Sequence, residues 1–355
     1  MELRQLGRSG LFVSTLALGS VAFKPGEDGT LATADLANGR DLFDRALDAG
    51  VNLVDTADSY DNGISEEIVG EIMKGRPDAM LVSSKVAFPM GPTPNDRGSS
   101  RSHLITSAEN SLRRLQRDHI DLYHLHLWDG LTPVEETLSA LDLLVRAGKV
   151  RYVAVSNFSA WHVMKLLAAA EDLGAPRPIA QQIHYTPHAR DAEFDLLPMA
   201  ADQGLGTLVW SPLAGGLLSG KYRRNQPAPA GSRHAHAFTE PPVPDENRLY
   251  DIVDEIVAVA QDLGVPPAQV ALAYTMRRPG VTTLVVGARR PEQLMDNLAS
   301  ADLILSDDDI ARIERVSRPI VPYPHWHQLA WDLPRLGTAE RAFLAPYAHS
   351  DPAVG

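Results

Sequence analysis

Eight short apolar runs, separated by longer amphipathic stretches along most of the chain, limit most strongly what this sequence can fold into. The runs are 15–19, 51–55, 79–86, 120–126, 150–156, 178–182, 205–210 and 281–286. Each is strand-sized, rich in Val, Leu or Ile, and apolar almost throughout, as strands covered on both faces are. The stretches between them carry helix signals. Residues 33–49 end at Gly50, and Ser65-Glu66-Glu67 opens a helix with a capping hydroxyl and early acids. In 102–115, Leu104, Ile105, Ala108, Leu112 and Leu115 keep a helical period. The stretch 133–147 has Thr132 as its N-cap and Pro133 at the first helical position, and 159–173, 194–203 and 246–263 each run into a glycine. Strands alternating with helices argue for a parallel sheet, and eight is the number that closes a (β/α)8 barrel. Residues 3–13, with Gly7-Arg8-Ser9-Gly10 at their centre, fit a hairpin across the barrel bottom. The expected architecture is therefore α/β: a (β/α)8 TIM barrel with an N-terminal β-hairpin and long loops at the C-terminal rim. Residues 1–317 form the barrel domain and 318–355 a tail.

Composition narrows the function. The chain has 355 residues, a formal net charge of −12 and no cysteine. Such a surface repels a phosphate backbone, which argues against nucleic-acid binding. Without cysteine, disulfides, thiolate nucleophiles and iron–sulfur clusters are excluded. No stretch approaches the length of a membrane helix, and the N-terminus lacks the apolar core of a signal peptide, so a cytoplasmic protein is expected.

Polar residues stand where three of the runs end. Asp55 follows Val51-Asn52-Leu53-Val54, Lys85 follows Leu81-Val82-Ser83-Ser84, and His126 follows Leu122-Tyr123-His124-Leu125. Tyr60 lies five residues past Asp55, in the loop after the same strand. In a barrel of this kind the strand ends share one rim, where catalytic groups collect. A phenol is a weak acid at neutral pH. An ammonium beside it favours the phenolate, an acid anchors that ammonium, and an imidazole can polarise a carbonyl oxygen. The set can protonate an oxyanion as a carbonyl is reduced. A buried Asp55–Lys85 pair with a core histidine is the plainer alternative for any one of these residues, but much less so for all four together.

At this point the sequence resembles the aldo-keto reductase superfamily, most closely its bacterial long-loop members, which are similar to potassium-channel β subunits. The likeness is carried by Gly50-Val51-Asn52-Leu53-Val54-Asp55-Thr56-Ala57 with Tyr60, Ser84-Lys85, Ile120 to His126, Val155-Ser156-Asn157-Phe158, Trp210-Ser211-Pro212-Leu213, and Gly287-Ala288-Arg289 with Gln293 and Asn297. It runs in family order over roughly residues 1–317. The resemblance implies a catalytic tetrad of Asp55, Tyr60, Lys85 and His126, with Tyr60 as general acid. It implies NADP(H) as cofactor. Ser156, Asn157 and Gln182 fall where the carboxamide is held, and Trp210 where the nicotinamide ring stacks. Ser211, Leu213, Gly215 and Lys221 fall beside the pyrophosphate. Gly287, Arg289, Gln293 and Asn297 fall near the 2′-phosphate and adenine. Many members of the family carry a Lys-Ser pair where this chain has Gly287-Ala288.

The implied function is reversible reduction of an aldehyde or ketone; the alternative is a cofactor-sensing regulatory subunit with slow turnover. The expected partner is a small carbonyl or alcohol, with neither nucleic acid nor membrane, and a homo-oligomer is allowed. Phe88 and Trp128 are candidates to wall the substrate pocket, as are the aromatics of the tail. Gly215 to Lys221 fits the start of a P-loop, but Tyr222 stands where magnesium needs a hydroxyl of Ser or Thr. No metal is expected. The pairs His124/His126, His234/His236 and His325/His327 lie in no recognisable ligand framework. Three segments break the strand–helix rhythm: 88–100, 212–245 and the tail after Ile320. They read as binding loops or as irregular insertions.

Overall fold

The computed structural model describes residues 1–23, 36–235, 240–331 and 333–348. An antiparallel hairpin, β1 (Leu3–Gln5) and β2 (Phe12–Ser14), precedes the barrel strands β3 (Leu16–Gly19), β4 (Leu53–Asp55), β5 (Leu81–Val86), β6 (Ile120–Leu125), β7 (Val150–Ser156), β8 (Ala180–His184), β9 (Gly206–Trp210) and β10 (Thr283–Val286). These eight are parallel and close on themselves, β10 pairing with both β9 and β3. The outer layer is α1 (Leu36–Asp48), α2 (Ile64–Met73), α3 (Arg101–Leu115), α4 (Val134–Arg146), α5 (Ala160–Leu173), α6 (Leu196–Gln203), α7 (Glu246–Leu263), α8 (Pro267–Met276), α9 (Pro291–Ala299) and α10 (Asp307–Ser317). The eight expected strands are present at their expected places.

Side chains alternate along each strand, and this sorts the interior into layers. Ala17, Leu53, Leu122, Ala154, Ala180, Leu208 and Val285 fill the lower barrel, with Leu6 and Val13 of the hairpin segment closing it from below. Two residues further along, the same inward face carries Asp55, His124, Ser156, Gln182 and Trp210, so polar groups appear only where the barrel opens. The hairpin is held tightly. A Cβ on Gly7, whose φ is +60°, would lie 2.5 Å from the Ile179 carbonyl oxygen, so only glycine fits there.

Several local expectations are corrected. Helix α2 starts one residue earlier than Ser65 and has Gly63 at its N-cap. The Ser65 hydroxyl is buried and bonds Ser20 and Thr56 instead. Pro133, not Thr132, precedes α4, and the Thr132 hydroxyl donates to Asp129. The sequence reading missed α8, which is buried on nearly every side and so shows no amphipathic stripe. It also missed α9 and α10.

The tail is helical in part, as α11 (His325–Trp331) and α12 (Thr338–Leu344). It packs on α6 and on the Asp191–Phe194 turn, where Leu344 and Tyr347 join Phe194 in a small apolar cluster. Tyr347 also reaches a buried charged network. Arg190 donates to both oxygens of Glu193 at 2.7 and 3.0 Å, to the Tyr347 hydroxyl at 3.0 Å and to Ser317 at 3.0 Å. Tyr185 donates to Glu193 at 2.6 Å, and Arg278 bridges Tyr185 and Glu314.

Candidate active site

Asp55 ends β4, Lys85 sits near the end of β5, and His126 follows β6. Neighbouring parallel strands place these residues side by side on the inner face of one rim. Tyr60 comes from the loop after β4, at the start of a turn in which Asp61, Asn62 and Gly63 all have positive φ. That uncommon conformation turns the chain sharply and brings the phenol back over the barrel mouth.

The Lys85 ammonium is fully buried and donates three hydrogen bonds: to Asp55 Oδ2 at 2.6 Å, to the Thr56 carbonyl at 2.8 Å and to the Tyr60 hydroxyl oxygen at 3.2 Å. Because Lys85 occupies a lone pair of the phenol oxygen, the O–H is left to point elsewhere. Asp55 Oδ1 accepts from Ser83 at 2.7 Å and from Gln182 at 3.0 Å. Both carboxylate oxygens are therefore held. The His126 ring lies 5.9 Å from that of Tyr60 and 4.5 Å from that of Phe88, edge-on to each.

Burial decides the protonation states. It raises the Tyr60 pKa, and the opposing attraction of Lys85 does not overcome it. The sequence expectation that Lys85 lowers this pKa is corrected: the net shift is upward, and Tyr60 holds its proton at neutral pH. Burial alone would discharge Lys85, but Asp55 and Tyr60 outweigh it and hold the ammonium charged. His126 is pushed well below the usual imidazole range by burial, Lys85 and His124, so it is neutral. The result is a protonated phenol, a fixed ammonium and a neutral imidazole converging on one opening.

The residues matched to a nicotinamide are also at this rim. Ser156 Oγ is buried with no hydrogen-bond partner among the described residues. Asn157, at a φ of +56°, donates to the His126 carbonyl at 3.0 Å and accepts from Trp210 Nε1 at 3.0 Å. Gln182 is engaged with Asp55. Beyond Trp210 the chain makes a second left-handed stretch through Ser211, Ala214, Gly215 and Gly216, and the Ser211 hydroxyl accepts from Gly215 N–H. Lys221 is pushed down by burial and, against Tyr222, by Arg289 and Arg233. Burial and Arg289 push Arg233 down as well. Three cations thus crowd one place, as a polyanion site requires. Arg289 N–H donates to Gln293 Oε1, and Asn297 is buried on the same helix α9. Gly287 backs onto Gly19.

Sequence reasoning missed Arg233, which lies in the irregular 212–245 stretch with no period to mark it. It also missed Ser83, although that residue stands two before Lys85 and so shares its face. Trp128 stacks on His162 at 4.1 Å and meets Phe158 at 5.3 Å, so its ring faces α5. Phe88 is exposed, its ring edge-on to His126. The aromatic tail contacts α6 and the Asp191–Phe194 turn, while Tyr323, Trp326 and Trp331 are exposed. Among the described residues no three His, Asp or Glu side chains converge as metal ligands, and His236 lies outside those residues.

Comparison with known proteins agrees with the barrel fold. The model of the aldo/keto reductase family matches residues 15–318. A probable voltage-gated potassium channel subunit beta of Arabidopsis thaliana is 34% identical over 91% of this chain and 99% of its own length. An uncharacterized oxidoreductase of Bacillus subtilis, YrpG, is 37% identical over 88% of this chain and 94% of its own. A norsolorinic acid reductase of Aspergillus flavus is 32% identical over 89% of this chain and 81% of its own.

Proposed function

The chain belongs to the aldo/keto reductase family, and on that premise we propose that it is an NADP(H)-dependent oxidoreductase that interconverts an aldehyde or ketone with its alcohol. The observation that carries the proposal is the fully buried Lys85 ammonium shared between Asp55 and the Tyr60 oxygen, beside a neutral His126. NADPH, when bound, supplies a hydride to the carbonyl carbon. Tyr60 transfers its proton to the carbonyl oxygen as negative charge develops there. Lys85, already in contact with the phenol oxygen, stabilises the phenolate this leaves. Asp55 keeps Lys85 charged and in place, and His126 donates from its ring N–H to the same carbonyl oxygen. In the reverse direction the Tyr60 phenolate takes the alcohol proton.

The residues present fit the cofactor. Ser156 Oγ, buried and unpartnered, suits an amide such as that of nicotinamide, with Asn157 beside it and Trp210 as the stacking face. Lys221, Arg233 and Arg289 suit the phosphates, and an arginine fork suits a 2′-phosphate. The test is oxidation of NADPH across a panel of aldehydes and ketones, and reduction of NADP⁺ across alcohols. Turnover that Tyr60→Phe abolishes while NADPH still binds is the expected result; no turnover with any substrate sinks the proposal. Arg289→Ala should weaken NADPH far more than NADH, and equal weakening would place the 2′-phosphate elsewhere.

A second reading is a cofactor-sensing regulatory subunit with slow turnover; the name of the Arabidopsis thaliana relative, a channel subunit beta, supports its regulatory part. Tight NADPH binding without turnover on the whole panel would select it. Such a protein would be expected in the cytoplasm; among the described residues no single helix is long and apolar enough to cross a membrane.

A further inference from the structure

Behind the tetrad, on the outer face of β5 and β6, lies a second group of buried polar side chains that the proposed reaction does not use. Asp58, fully buried, sits between Asp55 and Tyr60, and its backbone N–H donates to the Lys85 carbonyl. Apart from a weak approach to the Ser59 N–H, neither carboxyl oxygen of Asp58 has a hydrogen-bond partner among the described residues. The hydroxyl of Tyr123, on β6 and also fully buried, has none either. Beside them Glu66 of α2 is satisfied: it accepts from Ser84 of β5 and from Arg114 Nε of α3 at 2.7 Å. Arg114 in turn lies across Gly63, whose Cβ would be 2.6 Å from the Arg114 Cδ. The group therefore backs the whole segment from Asp58 to Gly63, the segment that carries Tyr60.

Buried polar atoms left without hydrogen bonds are costly, and native structures resolve such groups with internal water. The charges point the same way. Glu66 and Arg114 cancel, so an ionised Asp58 would leave one negative charge enclosed. We propose that Asp58, Tyr123, Glu66 and Arg114 enclose an internal water site that seats the Tyr60 turn, with Asp58 present there as the neutral acid and acting as a positioning residue for Tyr60. The acid O–H donates to the water, the water donates to the Tyr123 oxygen, and the Asp58 carbonyl oxygen remains an acceptor. Burial, then the charge of Glu66, pushes Asp58 up to about 8, while Arg114 and Lys85 oppose this. The groups facing Asp58 are Glu66 from α2, Arg114 from α3, Lys85 from β5 and Tyr123 from β6.

The experiment compares wild type with Asp58→Asn, which mimics the neutral acid, Asp58→Leu, which cannot hold the water, and Tyr123→Phe. Its first arm needs no activity. A carboxyl raised in the fold and ordinary when unfolded binds more protons in the native state between the two pKa values. Wild-type Tm should therefore fall by about 2 °C or more per pH unit from about pH 5 to about pH 8. Asp58→Asn should remove that fall, and superposable Tm curves would overturn the neutral acid. A wild-type Tm that rises with Na⁺ or K⁺, but not with choline at equal ionic strength, would put a cation in place of the proton and overturn it too. The second arm rests on the reductase reading. Asp58→Leu should lose about tenfold in kcat at unchanged NADPH affinity, with Asp58→Asn restoring most of it and Tyr123→Phe losing a part. Full kcat in both Asp58→Leu and Tyr123→Phe would remove the positioning role. Inactive wild-type protein would sink the reductase reading alone, leaving the first arm to decide whether Asp58 is the neutral acid.

Discussion

Two buried clusters in this molecule use the same parts to different ends. At the rim, Asp55, Lys85 and Tyr60 place an acid, a cation and a phenol in contact. On the flank, Glu193, Arg190, Arg278, Tyr185 and Tyr347 do the same. They differ in which way the phenol bonds. Both flank tyrosines donate their O–H to Glu193, so their protons are committed to a carboxylate. Tyr60 accepts from Lys85, and among the described residues its own O–H has no acceptor. The flank cluster joins four pieces of chain that are far apart in sequence: the β8 loop, the turn after α8, the end of α10, and the tail. The rim cluster joins adjacent strand ends. A fully committed network fixes structure, and one with a single uncommitted proton can do chemistry.

Variants that exchange the two outcomes would break this contrast. The largest effect is expected for Tyr60→Phe, which should lower kcat by about 10²–10⁴-fold while Tm and NADPH affinity stay near wild type. A large drop in Tm with modest loss of rate would make the rim cluster structural as well. The converse variant is Glu193→Gln, which leaves the buried Arg190 without its close carboxylate partner, while Arg278 keeps Glu314. It should cost about 3–5 kcal/mol of stability, read by denaturant unfolding, with kcat per folded molecule unchanged. A Glu193→Gln protein of full stability would show that the flank network is dispensable.

The contrast also separates what the sequence makes legible from what it hides. The rim cluster could be read because strand periodicity announces it: Asp55, Lys85 and His126 stand at the ends of apolar runs, where a polar residue is out of pattern. Gln182 and Ser156 were reached only through the family resemblance, and the bond from Gln182 to Asp55 was not legible at all. The flank cluster left no such mark. Arg190 and Glu193 lie in an irregular turn, and Tyr347 lies in a tail with no period, so their meeting is set by tertiary packing alone. Arg233 was hidden in the same way. Asp58 stands in the open between two legible residues. Its burial depends on α2 and α3 closing over it, which no local pattern encodes. The direction of the Tyr60 shift was missed because proximity to Lys85 is visible in sequence order, whereas the depth of burial that outweighs it is not.

Smaller effects sharpen the comparison. Tyr347→Phe removes one hydroxyl that bonds both Glu193 and Arg190, and it should cost about 1–3 kcal/mol with no change in kcat. Comparable loss from truncating the tail before Tyr347 would show that this hydroxyl, rather than the apolar contact with Phe194, anchors the tail; a far larger loss would give that role to the apolar contact.

The smallest effect is a pH dependence, and its sign follows from the flank alone. Burial would raise the Glu193 pKa, but the bonds and charge of Arg190, with Arg278 and Tyr185, hold it below the ordinary glutamate range. A carboxylate lowered in the fold contributes stability that is present above its unfolded pKa, about 4.3, and is lost as pH falls through the folded value. Over that interval the unfolded chain binds a proton that the native chain does not, and stability declines by about 1.4 kcal/mol per pH unit. Glu193→Gln has no such group. The gap in Tm between wild type and Glu193→Gln should therefore narrow as pH drops below about 4, and a gap that stays constant would mean that Glu193 does not govern the acid limb. Asp58 works in the other direction, stabilising toward acid between about pH 8 and pH 4, so Asp58→Asn and Glu193→Gln should each flatten a different side of one stability maximum. Should either variant flatten both sides, the two buried carboxyls would be coupled through the barrel rather than independent.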